Sequence, residues 1–234
     1  MIKQTQLAQA AQSALSAWEG WNGLGVAGRA QLLQHFVAQL EQEQASMAQW
    51  QIDQALRLID APLEMPGPTG ESNLLSTSGR GLFIIAAEQQ TGETALVGQL
   101  VAALISGNVV LLAPHSSQSG FCRDLLRQLV AGSCPAAVAQ LLEGADSVLE
   151  LSQCPSLAGI ACVCDAGTAR ELNRQLCERT GVLVQLVAET DPARMPLIGS
   201  EQYLYRFITE QVCSTNTTAV GGNATLLELG GQAE

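Results

Sequence analysis

The sequence lacks any Cys-x-x-Cys pair, lacks an uninterrupted apolar run long enough to cross a bilayer, and carries only 11 basic residues against 22 acidic ones. Each shortage excludes a class of function. The seven cysteines (Cys122, Cys134, Cys154, Cys162, Cys164, Cys177 and Cys213) are odd in number and scattered. His115, the histidine nearest to them in sequence, has no ligand-like spacing, so no metal site is expected. Unpaired thiols fit a reducing compartment and point to the cytoplasm. A formal net charge of −11 repels phosphate backbones and anionic lipid, so neither nucleic acid nor a membrane surface is an expected partner. The opening residues lack the continuous apolar segment of a secretory signal, and the longest apolar stretches contain polar breaks. Hydrophobic residues make up 47% of the chain and charged ones 14%, the balance of a folded protein.

Periodicity organises what remains. Residues 2–18 and 27–59 carry helical spacing, with Ala30, Leu33, Phe36, Val37 and Leu40 on one stripe and Gly20, Gly23 and Gly25 between the two segments. Three prolines and two glycines make residues 61–73 read as a loop. Short β-rich runs then follow at 81–87, 109–112, 139–142, 160–164 and 182–188. Helical patterns at 91–106, 117–131, 147–153 and 166–180 alternate with them. That rhythm predicts a doubly wound parallel α/β sheet, which places ligands at the carboxyl ends of its strands. After Glu189 it stops. A loop covers 191–200, a helix is expected over 201–210, and two extended pieces at 211–218 and 224–229 flank Gly221 and Gly222. The expected organisation is helices over 1–60, a Rossmann-like core over 61–200, and a closing helix with a C-terminal β arm over 201–234.

Three segments carry a resemblance. Pro66-Gly-Pro-Thr-Gly-Glu-Ser-Asn73 with Gly79-Arg-Gly81 resembles the lead-in to the first strand of 1-pyrroline-5-carboxylate dehydrogenases, members of the aldehyde dehydrogenase superfamily often fused to proline dehydrogenase. Gly98-Gln-Leu-Val-Ala-Ala-Leu-Ile-Ser-Gly-Asn108 is similar to that family's next helix and turn. Thr215-Asn-Thr-Thr-Ala-Val-Gly-Gly-Asn-Ala-Thr225 is similar to its C-terminal signature. The resemblance implies a fold like the family's dinucleotide-binding half, and an arm of the kind that joins subunits. It also implies a catalytic domain between Glu189 and about Pro196, with its nucleophile in a Gly-Gln-x-Cys-Ser segment. This chain has no such segment.

The family's reaction needs a thiolate, an oxyanion-binding amide, a bound NAD and a water-activating carboxylate. Carried over position by position, the oxyanion Asn falls on Gln90, in Glu88-Gln-Gln-Thr-Gly92. The ribose-binding Lys-Pro-x-Glu reads Ala113-Pro-His-Ser116. The phosphate turn, Thr-Gly-Ser in the family, reads Val163-Cys164-Asp165. A carboxylate there opposes phosphate, although Asp165 also suits a helix cap. Glu189 alone matches a catalytic residue, and it reads equally as a carboxylate ending a strand. No catalytic residue, cofactor or metal is therefore expected. The leading expectation is a pseudoenzyme that works by association, as a homodimer through the arm or on a full-length paralogue. The alternatives are a residual NAD-linked oxidoreductase, or a small-molecule sensor with a cleft lined by Gln89, Gln90, His115 and Ser116.

Overall fold

The structure is a computed structural model and describes residues 4–68, 70–144 and 147–216. Four helices open the chain: α1 (Gln4–Leu15), α2 (Trp18–Asn22), α3 (Gly25–Val37) and α4 (Gln42–Leu58). The single helix expected over 27–59 is thus two. Ala38 caps α3, and Glu41, extended at φ −63° and ψ 154°, starts α4. The apolar stripe runs through the break because both helices bury a face. α3 buries Val26, Ala30, Leu33 and Phe36, while α4 buries Ala48, Ile52 and Ala55. Gly20 lies inside the short α2 rather than between helices.

The expected loop over 61–73 is also corrected. β1 (Leu63–Met65) lies within it and pairs antiparallel with β2 (Glu71–Gly79), which begins there and runs on beyond it. The parallel rhythm then appears where it was expected: β3 (Leu82–Ala87), α5 (Glu93–Ile105), β4 (Val109–Pro114), α6 (Ser119–Ala131), β5 (Ala139–Leu141), α7 (Val148–Leu151), β6 (Leu157–Val163), α8 (Ala166–Cys177) and β7 (Gln185–Glu189). The sheet order is β5-β4-β3-β6-β7, all parallel. All six residues of β3 and of β4 are buried, as continuous apolar strands covered on both faces must be. β7 starts at Gln185, later than its apolar sequence suggests, because Val182 and Leu183 are 83% and 86% exposed.

α5 is the central helix, buried from Ala95 to Ile105. The last carbonyls of a helix have no partner within it. Here the N-terminal helices supply partners. Trp21 Nε1 donates to the Leu104 carbonyl (2.9 Å), Arg29 Nε to Ile105 (2.9 Å) and Trp18 Nε1 to Gly107 (3.1 Å). Gly107 sits at φ +90°, where a Cβ would strike Asn22 Oδ1. Beside it, the buried Asn108 accepts from the N–H groups of Arg80 and Gly81 and donates to the carbonyls of Ala103 and Phe207. One amide thus ties the start of β3 to the end of α5 and to the C-terminal segment.

That segment departs from expectation. In place of a helix over 201–210 there is one 3₁₀ turn (Tyr203–Arg206), followed by β8 (Ile208–Asn216). Phe207 stacks between Phe83 and Tyr203 at centroid distances of 4.9 and 5.0 Å, which anchors the turn on the sheet. β8 pairs antiparallel with β2 over nine residues, giving a second sheet in the order β1-β2-β8. The extended piece expected at 224–229 and the turn before it lie outside the described residues.

Candidate functional site

The carboxyl ends of β3, β4, β6 and β7 meet along one edge of the parallel sheet, and the segments that follow them carry the residues singled out above. After β3, the Gln90 side chain is exposed and its amide donates to the Val163 carbonyl at 3.4 Å. Its amide is therefore engaged by backbone at the end of β6. Glu88 makes a contact far along the chain. Its Oε1 accepts from the Val148 N–H at the start of α7 (3.0 Å). Sixty positions separate the two residues, so no local pattern could have announced the contact.

After β4, Ala113 is buried and offers only a methyl group, while Ser116 is exposed and begins a 3₁₀ turn. His115 precedes that turn, its Nδ1 bonded to the Ser117 hydroxyl (2.9 Å) and accepting from the Ser117 N–H (3.3 Å). It closes its own turn. Glu88, Ala113, His115, Ser147 and Val148 are among the residues lining a cavity of about 10 Å³, room for no more than a single water molecule.

After β6, Cys164 is buried, and its Sγ lies 3.7 Å from that of Cys162. The shared hydrogen bond and burial push the Cys162 thiol well above its usual range. Asp165 is the N-cap of α8. Its Oδ1 accepts from the N–H groups of Gly167 (2.7 Å) and Thr168 (3.0 Å), and its Oδ2 from the Thr168 hydroxyl (2.7 Å). Those bonds, the one from the Thr168 side chain foremost, hold its carboxyl below the ordinary aspartate range. The helix N-terminus that would receive an anion already holds one of its own.

Glu189 ends β7 and is 2% exposed. Its Oε1 accepts from Asp191 N–H (3.0 Å), and its Oε2 from Leu197 N–H (2.8 Å) and Ile198 N–H (3.3 Å). The carboxylate thus organises the 190–199 turn. A larger cavity of about 780 Å³ opens beside this turn, lined by Gln42, Met47, Trp50, Thr94 and Gly199 among others. Among the described residues Glu43 is the titratable side chain on its wall. The structure brings Gln90, Cys164, Asp165 and Glu189 to one edge, with Gln90, Asp165 and Glu189 bonded to backbone groups and Cys164 against the Cys162 thiol. No cluster of three or more His, Cys, Asp or Glu capable of holding a metal occurs among the described residues.

This architecture, a five-stranded parallel sheet with N-terminal helices and an antiparallel ribbon, is an aldehyde-dehydrogenase-type fold. A Burkholderia cenocepacia chain assigned as an aldehyde dehydrogenase shares it at a TM-score of 0.65, over 78% of this chain and 42% of that one, at 18% identity. The nearer likeness is to PutA. The Rhizobium meliloti bifunctional protein PutA is 30% identical over 171 residues, which are 72% of this chain and 12% of that protein. A structure of proline utilization A with proline bound in remote sites superposes at a TM-score of 0.74 with 27% identity, covering 81% of this chain and 22% of that one. The Bradyrhizobium japonicum protein superposes at 0.73 with 25% identity. The chain is thus related in sequence and fold to PutA and aldehyde dehydrogenase proteins, in keeping with the resemblance carried by residues 66–108. It spans about an eighth of the length of the curated relative. No family model matches the chain. Among the described residues no helix is long and apolar enough to cross a membrane.

Proposed function

We propose that this chain is a non-catalytic aldehyde-dehydrogenase-like protein that acts by association in the cytoplasm. The observation that carries the reading is Glu189. The one position matching a family catalytic residue has its carboxylate oxygens engaged by three backbone N–H groups and almost no exposure, so it is poorly placed to activate water. A dinucleotide does not fit the residues present either. A carboxylate, Asp165, occupies the helix N-terminus where the pyrophosphate is held in the family. Ala113 and Ser116 lack the charged groups with which Lys and Glu clamp a ribose in the family. The sequence holds no Gly-Gln-x-Cys-Ser segment to supply a nucleophile.

The association half of the proposal rests on β8. Among the described residues it is the outer strand of its sheet, and its residues from Thr209 to Thr215 are exposed. A long edge strand offers a row of backbone donors and acceptors to another chain. Twofold self-association is the commonest oligomeric form, so a homodimer is preferred over docking on a full-length PutA-type relative. Light scattering should give about twice the 24.6 kDa chain mass, and calorimetry should detect no NAD binding at micromolar levels. A monomer both alone and mixed with the relative removes the association reading. NADH production from 1-pyrroline-5-carboxylate removes the non-catalytic one.

A further inference from the structure

The opposite edge of the parallel sheet, where the strands begin, carries a second concavity. Arg80 precedes β3, Ser156 precedes β6, and Arg179 and Thr180 lie between α8 and β7. Together they line a cavity of about 400 Å³, within the size range of small-molecule sites. Leu157 and Val182 add apolar wall, and no carboxylate is among the lining residues. In a chain with a formal charge of −11, two guanidinium groups facing one cavity without an acid are out of keeping with the rest of the surface.

The two arginines lack a carboxylate partner, as the buried Arg29, held by the carbonyls of Ile105 and Asn22, also does. Arg57, Arg123, Arg127 and Arg174 each pair with a carboxylate. Among the described residues Arg80 and Arg179 make no such pair. Arg179 is fixed by the carbonyls of Ser152 and Cys154, the latter at 3.0 Å, which orients its fork without neutralising it. The Nε atoms of both arginines are shielded from solvent and have no hydrogen-bond partner. A buried donor without an acceptor is costly, and two like charges on one cavity add to that cost. One ligand type offsets the uncompensated charge: an oxyanion, which accepts charge-assisted hydrogen bonds from guanidinium N–H groups. Ser156, held at φ 57°, and Thr180 also line it.

We infer that this cavity binds the carboxylate or phosphoryl group of a small molecule, with the apolar wall accommodating a short carbon body. The site lies at the amino ends of the strands, away from Gln90, Asp165 and Glu189, and does not depend on whether that edge is catalytic.

The test uses the full chain at low ionic strength. Inorganic phosphate and glutarate are titrated separately, followed by calorimetry and by the rise in melting temperature that a native-state ligand produces. Sodium chloride at matched ionic strength is the control. Saturable binding of either anion is expected, phosphate alone assigning a phosphoryl ligand and glutarate alone a carboxylate. Arg80→Gln should weaken it at least about tenfold, the loss of one charged hydrogen-bonding group, and Arg80→Lys should weaken it less. Val182→Asp, at a position 83% exposed and so safe for folding, should weaken it through charge alone. Absence of saturable binding of both anions up to on the order of 10 mM, or affinity unchanged in both Arg80→Gln and Val182→Asp, overturns the inference.

Discussion

Replacing Glu189 with glutamine separates a structural carboxylate from a catalytic one. The amide has one acceptor oxygen where the carboxylate has two. In its better orientation that oxygen faces Leu197 and Ile198, and the NH₂ group then meets the Asp191 N–H donor against donor. One hydrogen bond to a charged group is lost outright, worth about 1.5–3 kcal/mol, and the other two become neutral and weaker. At 2% exposure, solvent cannot substitute. The expected destabilisation is about 2–4 kcal/mol, or a fall of about 1–2 M in the urea midpoint for a slope near 2 kcal/mol/M. Urea unfolding followed by circular dichroism reads this directly. A water-facing carboxylate would behave differently, since surface substitutions usually stay within about 0.5 kcal/mol. A change below that size refutes the view that Glu189 holds the 190–199 turn, and returns it to the list of candidate bases.

Three other outcomes follow from the same structure. Arg29→Met should destabilise the protein by about 3 kcal/mol in the same unfolding assay, because it orphans the carbonyls of Ile105 and Asn22; burial lowers the Arg29 pKa to about 10, which still leaves it charged at neutral pH. Asp165→Ala should lower the melting temperature at neutral pH. Because the folded-state pKa of Asp165 lies below its unfolded value, that contribution is fully present above the ordinary aspartate range near pH ~4. The gap between wild type and variant should therefore narrow as pH falls through and below that range. A disulfide-exchange reagent should label two thiols in the native chain, Cys177 and Cys213, and the other five only on unfolding; burial pushes Cys122 up to about 12 and Cys134 to about 11, which further slows them. Fast labelling of Cys122 or Cys134 would contradict their burial.

The parallel core was legible in the sequence because its strands are apolar runs punctuated by turns, and burial on both faces requires that pattern. Asp165 as a cap was legible for a local reason, since its acceptors serve N–H groups two and three positions on. The strand β2 was not. Its residues Ser72, Asn73, Ser76, Thr77 and Ser78 are polar and its burial follows no alternation, so only pairing with a distant strand defines it. The turn at Tyr203–Arg206 read as part of a longer helix because one face is apolar, yet the β-branched Ile208 and Thr209 already belong to β8. At the site, departures from the family's residue types were legible in the sequence, whereas the backbone contacts of Glu88 and Glu189 were not. Their partners are backbone groups brought near by tertiary structure, and backbone leaves no signature in side-chain identity.

The pairing of β2 with β8 has a consequence for how the chain assembles. Ser76 and Gln211, opposite each other in that ribbon, are 135 residues apart. Closing such a loop from a flexible chain costs about 4 kcal/mol before any contact repays it, so the ribbon forms after the parallel core has drawn the two segments together. During synthesis β2 must therefore wait, one edge against the short β1 and the other bare, until β8 leaves the ribosome. A bare edge is where a nascent chain pairs with the wrong neighbour. The serines, asparagine and threonine that hide β2 from a reading of its sequence keep that waiting edge wetted by water and unattractive to other strands.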